Sequence, residues 1–251
     1  MKAKRIYEIE SFIKENKTAS IEELRQRFNV SINTIRRDVN QLVDMNIVKK
    51  VYGGIEVIED SHKAVDYNKR NIENSNSKKL IGELAANEIE ANDIIYIDTG
   101  TTTIHLLDYV DKHLTFTIIT NSLDIMNKAS QFENVTLFII GEKYKPITRS
   151  FIGIDSNMLL EKFNINKSFM SATGVNIQNG LSNSEMEENL IKQYITSKAT
   201  ETFILADHSK MGKSTLLTYC DLRDINKMFT DKIPPKDINA FCQEHNIAIY
   251  F

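Results

Sequence analysis

Residues 31–42, Ser-Ile-Asn-Thr-Ile-Arg-Arg-Asp-Val-Asn-Gln-Leu, constrain this chain more than any other segment. At about 100° per residue on a helix, Ile32, Ile35, Val39 and Leu42 fall on one face. Asn33, Arg36, Arg37 and Asn40 crowd the opposite face, with Thr34 near its edge. One side packs, and the other carries amide groups and positive charge. Arg reads guanine through two hydrogen bonds, Asn reads adenine, and either can hold a phosphate. The expected part of Asp38 is structural, pairing with a basic neighbour or fixing the helix.

The flanks fit a DNA-reading helix. A first helix is expected over about 3–16, burying Ile6, Ile9 and Ile13, and Thr18-Ala19-Ser20 breaks it. Ser20 and Glu23 form a capping box that starts a short helix through Ile21, Leu24 and Phe28. Asn29-Val30 makes a tight turn and Ser31 caps the third helix, which is the order of a helix-turn-helix. Residues 47–52 and 55–58 read as two strands around a Gly53-Gly54 turn. Such a hairpin is a wing, bringing Lys49 and Lys50 near a phosphate backbone.

Charge is divided to match. Residues 1–52 hold 11 Lys+Arg against 7 Asp+Glu, leaving 20 against 27 in the rest of a 251-residue chain of net charge −3. A basic head on an acidic body fits a DNA-binding module joined to a domain that stays off DNA. With 41% hydrophobic and 26% charged residues, a folded soluble chain long enough for two domains is expected. No apolar run reaches a membrane span, and the basic start is followed by Glu8 and Glu10 rather than an apolar core. A cytoplasmic protein is therefore expected. Cys220 and Cys242 read as two reduced thiols, and no His, Cys or carboxylate spacing suits a metal.

The polar stretch 59–76 reads as a linker between a DNA-binding domain at 1–58 and an effector and oligomerisation domain at 77–251. From there helices (78–90, 102–112, 122–130) alternate with strands (93–98, 115–120, 134–140). Later strands are expected near 167–171, 202–206 and 225–230, with helices at 155–162 and 184–199. This alternation is the mark of an α/β domain, a mostly parallel sheet covered on both faces. Ligands of such sheets bind beyond the carboxyl ends of the strands. There lies Asp98-Thr99-Gly100-Thr101-Thr102-Thr103, a hydroxyl-rich loop opening a helix and suited to an anion, although its threonines serve equally well as helix caps. Asn121, Ser122 and Gly141 follow the next two strands; each is compatible with a plain turn, and their coincidence carries the argument. Lys210 is placed to neutralise a ligand phosphate, or is a solvated loop lysine. Its segment, Asp207 to Ser214, falls short of a P-loop: Asp207 stands where the first Gly belongs, and residues 215–220 read as a strand. His208 beside Asp207 reads as structural, since sequence neighbours rarely face one another.

With these pieces in order, the chain resembles the DeoR family of bacterial sugar-metabolism repressors over essentially its whole length. The resemblance rests on Ser31-x-x-Thr34-Ile35-Arg36-Arg37-Asp38-Val39, Val51-Tyr52-Gly53-Gly54, Asp98-Thr99-Gly100-Thr101-Thr102, Thr120-Asn121-Ser122, Gly153, Gly180-Leu181-Ser182 and Ala206-Asp207-His208-Ser209-Lys210. It implies a winged helix-turn-helix on an effector domain similar to sugar-phosphate isomerases. It also implies a homodimer or homotetramer on operator DNA, relieved by a phosphorylated sugar, with no cofactor. Where many members have Gly-Gly, this chain has Gly141-Glu142. The segments 151–162 and 218–222 resemble the lactose/tagatose phosphotransferase-type repressors.

Two other classes compete. A sugar-phosphate isomerase with an accessory N-terminal domain would share the phosphate loop, but Asp98 and Glu142 make no convincing acid and base pair. A winged helix serving as a protein-protein module would lack the steep salt dependence of DNA binding. The Arg36-Arg37 pair favours DNA.

Overall fold

The computed structural model describes residues 5, 6, 8, 9, 12, 13, 16–44, 48–57, 67–153 and 161–251, the side chains of 44 and 57 excepted. The chain divides into two compact units, Met1–Ser61 and His62–Phe251.

In the first unit the described residues between 5 and 16 are helical. Strand β1 (Thr18–Ser20), helices α1 (Ile21–Phe28) and α2 (Ile32–Asp44), and strands β2 (Val48–Val51) and β3 (Gly54–Val57) follow. Ser20 caps α1 in the expected capping box, and Asn29 ends it in the left-handed conformation at φ 47°. β1, β3 and β2 form one antiparallel sheet in that order. The hairpin turns at Tyr52-Gly53 rather than Gly53-Gly54, because Gly54 is already paired with Val51 across it. A side chain at Gly54 would come within 2.3 Å of the Ala19 carbonyl oxygen, so only glycine lets β1 and β3 close. Ile6, Ile9, Ile13, Leu24, Ile35, Val39, Leu42, Val48 and Ile55 form the core. Ile32, expected on the packed face, is instead 40% exposed. It is the first residue of α2, one turn beyond Ile35, where the buried stripe begins.

The second unit opens inside the expected linker: Tyr67–Ile72 is helix α3 and Ser75–Ala86 is helix α4. Tyr67 is buried and its amide donates to the Ile147 carbonyl at 3.0 Å, which draws this polar stretch into the fold. Strands β4 (Ile94–Ile97), β5 (Phe116–Thr120), β6 (Val135–Ile139), β7 (Lys143–Lys145), β8 (Ser150–Ile152), β9 (Lys167–Ser171), β10 (Gly174–Asn176), β11 (Gly180–Asn183), β12 (Glu201–Leu205), β13 (Leu217–Cys220), β14 (Lys227–Phe229) and β15 (Ala248–Tyr250) follow. Helices α5 (Leu123–Ala129), α6 (Met186–Lys198) and α7 (Lys236–Glu244) are interspersed. The main sheet runs β15-β14-β12-β9-β4-β5-β6, parallel throughout. β10, β11 and β13 make a small antiparallel sheet, and β7 pairs with β8. Most of helix 155–162 lies outside the described residues, as does residue 58. Helix 102–112 is instead a short 3-10 helix, Thr103–Asp108.

Alternation along each strand builds a core on both faces of the sheet. Ile95, Ile97, Phe169, Phe203 and Phe229 pack with Ile81 and Ala85 of α4 and Ile125 of α5. Tyr96, Met170, Ile204 and Met228 face the other way, against Ile191 and Ile195 of α6 and Ile238 of α7. Each fully buried large apolar side chain contributes about 1.5–3 kcal/mol.

Candidate DNA interface and effector pocket

Asn33, Arg36, Arg37 and Asn40 are all exposed on α2, opposite buried Ile35, Val39 and Leu42. The Ser31 hydroxyl accepts from the Thr34 amide at 3.2 Å and lies 2.8 Å from the Thr34 hydroxyl, so both side chains hold the start of α2. Asp38 is 1% exposed and accepts from Arg5 Nε at 2.6 Å, which fixes α2 to the first helix. On the hairpin, Lys49 pairs across the strands with Glu56 at 3.2 Å, while Lys50 lines a groove with Arg36 and Asn40.

In the second unit the chain leaves β4 for β5 and β6 on one side and returns to β9 on the other. The point where strand order reverses therefore lies between β4 and β9, where such sheets hold ligands. The Asp98 loop emerges there. Its carboxylate accepts from the Ser171 amide at 2.9 Å and hydroxyl at 2.5 Å, and is ion-paired with Lys192. Burial pushes the Asp98 carboxyl up, but the Lys192 ammonium and the Ser171 donors outweigh it and hold the group below its ordinary value. Gly100 lies so close to Ser171 that a side chain would meet it at 2.4 Å.

The remaining expected residues divide into two sets. The Thr103 hydroxyl donates to the carbonyls of Asp98 (2.7 Å) and Gly100 (2.9 Å), closing the loop on itself. Asn121 accepts from the Tyr96 hydroxyl at 2.8 Å and donates to the Phe151 carbonyl at 3.0 Å, and the Ser122 hydroxyl caps α5 through the Ile125 amide at 3.3 Å. These three side chains are thus committed to bonds within the protein. The hydroxyls of Thr99, Thr101 and Thr102 make no side-chain hydrogen bond among the described residues, although all three residues are buried. Gly141 follows β6, and Glu142 beside it is exposed. Lys210 ends a 3-10 turn after β12 and makes no ion pair among the described residues.

Several polar residues here carry no local sequence signal. Lys192 and Glu188 sit one turn apart on α6, and Lys192 also donates to the Ser171 carbonyl at 3.1 Å. Burial raises the Glu188 carboxyl, which accepts from the Ser150 hydroxyl at 2.5 Å. Lys78 of α4 is buried and donates to the Arg70 carbonyl. Asp207 is 1% exposed with one carboxylate oxygen unpartnered, and acts with Lys210 on the charge of Lys78. A lysine and a glutamate four apart on a helix could have been noticed; the pairing of Lys192 with Asp98, 94 residues earlier, could not. His208 pairs with Asp231 at 2.7 Å, not with Asp207.

Residues 5–61 match the DeoR-like helix-turn-helix domain, and residues 73–232 match the DeoR C-terminal sensor domain. The chain belongs to the DeoR family. It is 46% identical over 250 residues to the HTH-type transcriptional regulator IolR of Bacillus subtilis (strain 168), covering 100% of this chain and 99% of that protein. It is 30% identical over 233 residues to the lactose phosphotransferase system repressor of Staphylococcus aureus (strain NCTC 8325 / PS 47), covering 92% of each. The phosphotransferase-type subgroup is thus a relative, at lower identity than IolR. Ribose 5-phosphate isomerase A of Methanocaldococcus jannaschii aligns over 55% of each chain at a TM-score of 0.42 and 18% identity, a likeness without functional weight. This DeoR-family chain is a DNA-binding transcriptional regulator. Among its described residues no helix is long and apolar enough to cross a membrane.

Proposed function

We propose that this DeoR-family regulator represses a sugar-utilisation operon from the cytoplasm and is controlled by a phosphorylated sugar. The observation that carries the reading is the pairing of two surfaces in one chain. An exposed Asn33, Arg36, Arg37 and Asn40 face stands on the second helix of a helix-turn-helix, where such folds meet base edges. A buried, hydroxyl-lined loop stands at the strand-order reversal of a parallel sheet. Ser31 and Thr34 orient the reading helix, and Lys49 and Lys50 meet the phosphate backbone. Thr99, Thr101 and Thr102 hold the effector phosphate with Lys210, while Asp98, Gly100, Thr103, Asn121, Ser122 and Gly141 shape the pocket. The protein acts as a homodimer or homotetramer, presenting two reading helices to a symmetric operator. Effector control requires that the ligand bind the DNA-released arrangement more tightly.

An isomerase would need a free base at the loop, whereas Asp98 is committed to Lys192 and Ser171. The test is fluorescence anisotropy of DNA from upstream of the protein's own operon, with and without a panel of sugar phosphates. Specific binding relieved by one of them is expected, abolished in an Arg36→Ala, Arg37→Ala double variant. A Thr101→Ala, Lys210→Ala variant should repress but resist induction. Binding that survives loss of both arginines overturns the reading helix; wild-type induction of the second variant overturns the pocket; turnover of a sugar phosphate restores the enzyme.

A further inference from the structure

Ile32 is 40% exposed, although an isoleucine at the start of an amphipathic helix has a core at hand to join. A lone exposed apolar residue is ordinary and needs no account. Ile32 is not alone. It shares a stripe of α2 with Arg36 and Asn40, at intervals of one helical turn, and all three line the groove between α2 and the hairpin. The opposite wall carries Lys50 and Val51, and Val51 is itself 38% exposed. The groove is therefore apolar at its floor and mainly basic or amide-bearing at its rim; the acidic Glu22, which also lines it, is paired with Arg25 at 2.6 Å.

That combination matches the major-groove edge of a thymine-containing step. The thymine C5-methyl is the one apolar group displayed there, and it sits among acceptors suited to Arg and Asn. Residues at the N-terminal end of a reading helix are those that reach base edges, and Ile32 is the first residue of α2, directly after its Ser31 cap. We infer that Ile32 is a specificity-determining residue that reads a thymine methyl in each operator half-site, beside the base contacted by Arg36. The inference rests on α2 being the reading helix. It adds an apolar contact to a face otherwise described by its polar groups.

The test removes the methyl and nothing else. The full-length protein first selects its preferred sites from random-sequence duplexes. Each thymine of the selected half-site is then replaced by deoxyuridine, which pairs identically but lacks the methyl. For the wild type, one position per half-site should weaken binding by about fourfold, the affinity equivalent of one buried methyl-sized group. Ile32→Ala should bind the methylated and unmethylated sites equally at that position while keeping its affinity for random DNA. Ile32→Val, which keeps a branched apolar end, should keep part of the sensitivity.

A wild type indifferent to every thymine replacement overturns the inference, whether or not the alanine variant folds. So does an Ile32→Ala protein that remains fully methyl-sensitive, or one that loses random-DNA and operator affinity alike. Those failures differ from failure of the underlying reading, in which the Arg36→Ala, Arg37→Ala variant still binds its operator.

Discussion

Lys78 shows how burial sets a group's behaviour. It is 3% exposed, and that burial brings its ammonium down from 10.5 to about 8, with Asp207 opposing the shift and Lys210 and Arg70 adding to it. Between those values the unfolded chain holds a proton that the folded chain has released. Unfolding then takes up a proton, so this group makes stability rise with pH across the window from about 8 to 10.5. Denaturant titrations should show the wild type gaining on Lys78→Met as pH is raised through it; parallel curves would contradict the buried ammonium. The cysteines behave more simply. Burial pushes the Cys220 thiol up to about 12 and that of Cys242 to about 11, leaving both protonated at neutral pH. Asp98 goes the other way because Lys192 and Ser171 face it. Its partner Lys192 is equally buried, so losing either one would strand a charge in the interior.

Among the elements, the hairpin depends on one contact. Gly54 pairs with Ser20 and leaves no space against the Ala19 carbonyl, so Gly54→Ala must part β1 from β3 or bend the wing. A loss of about 1–3 kcal/mol is expected from such overpacking, with operator affinity falling as the hairpin is displaced. Unchanged thermal stability and DNA binding would show that the wing does not need this closure. Helix α2 was legible because both its faces are written at one period: Ile35, Val39 and Leu42 are buried, and Asn33, Arg36, Arg37 and Asn40 are exposed. The exposure of its first residue was not legible, since periodicity continues through Ile32 while the core stops at Ile35. The short strands β7, β8, β10, β11 and β15 escaped for a related reason. Strands of three or four residues hold too few side chains to display a period. Likewise the helix after the Asp98 loop proved to be six residues of 3-10 helix. Its dipole is correspondingly slight, so the proposed phosphate site would lean on threonine hydroxyls and Lys210 more than on a helix end.

At the scale of the whole molecule, the chain has two units with separate cores, and the proposed function gives each unit its own ligand. Each ligand should therefore stabilise its own unit. At a hundredfold excess over its Kd, a sugar phosphate adds about 2.7 kcal/mol to whatever unit binds it. Calorimetry of the intact chain should show the inducing sugar phosphate raising the transition of the sensor unit, and operator DNA raising that of the smaller unit. A sugar phosphate that induces without shifting the sensor transition would place its site elsewhere. Control between the units then requires only that the effector prefer the released arrangement, and its strength is bounded by that difference in affinity.

Local chemistry was enough to determine the helix-turn-helix, the capping box, the wing, the basic face of α2 and the alternation of the α/β domain. Each of these depends on residues within a turn or a strand of one another, where period and spacing are the physics. Only tertiary structure decided which polar groups of the loop and its neighbours are bonded within the protein and which are left without a side-chain partner. Thr103, Asn121 and Ser122 read like Thr101 and Thr102 in the sequence, yet their bonds run to Gly100, Tyr96, Phe151 and Ile125. The partners of Asp98 likewise come from 73 and 94 residues away. A buried polar group must find its complement wherever folding brings one, and distance along the chain does not record that.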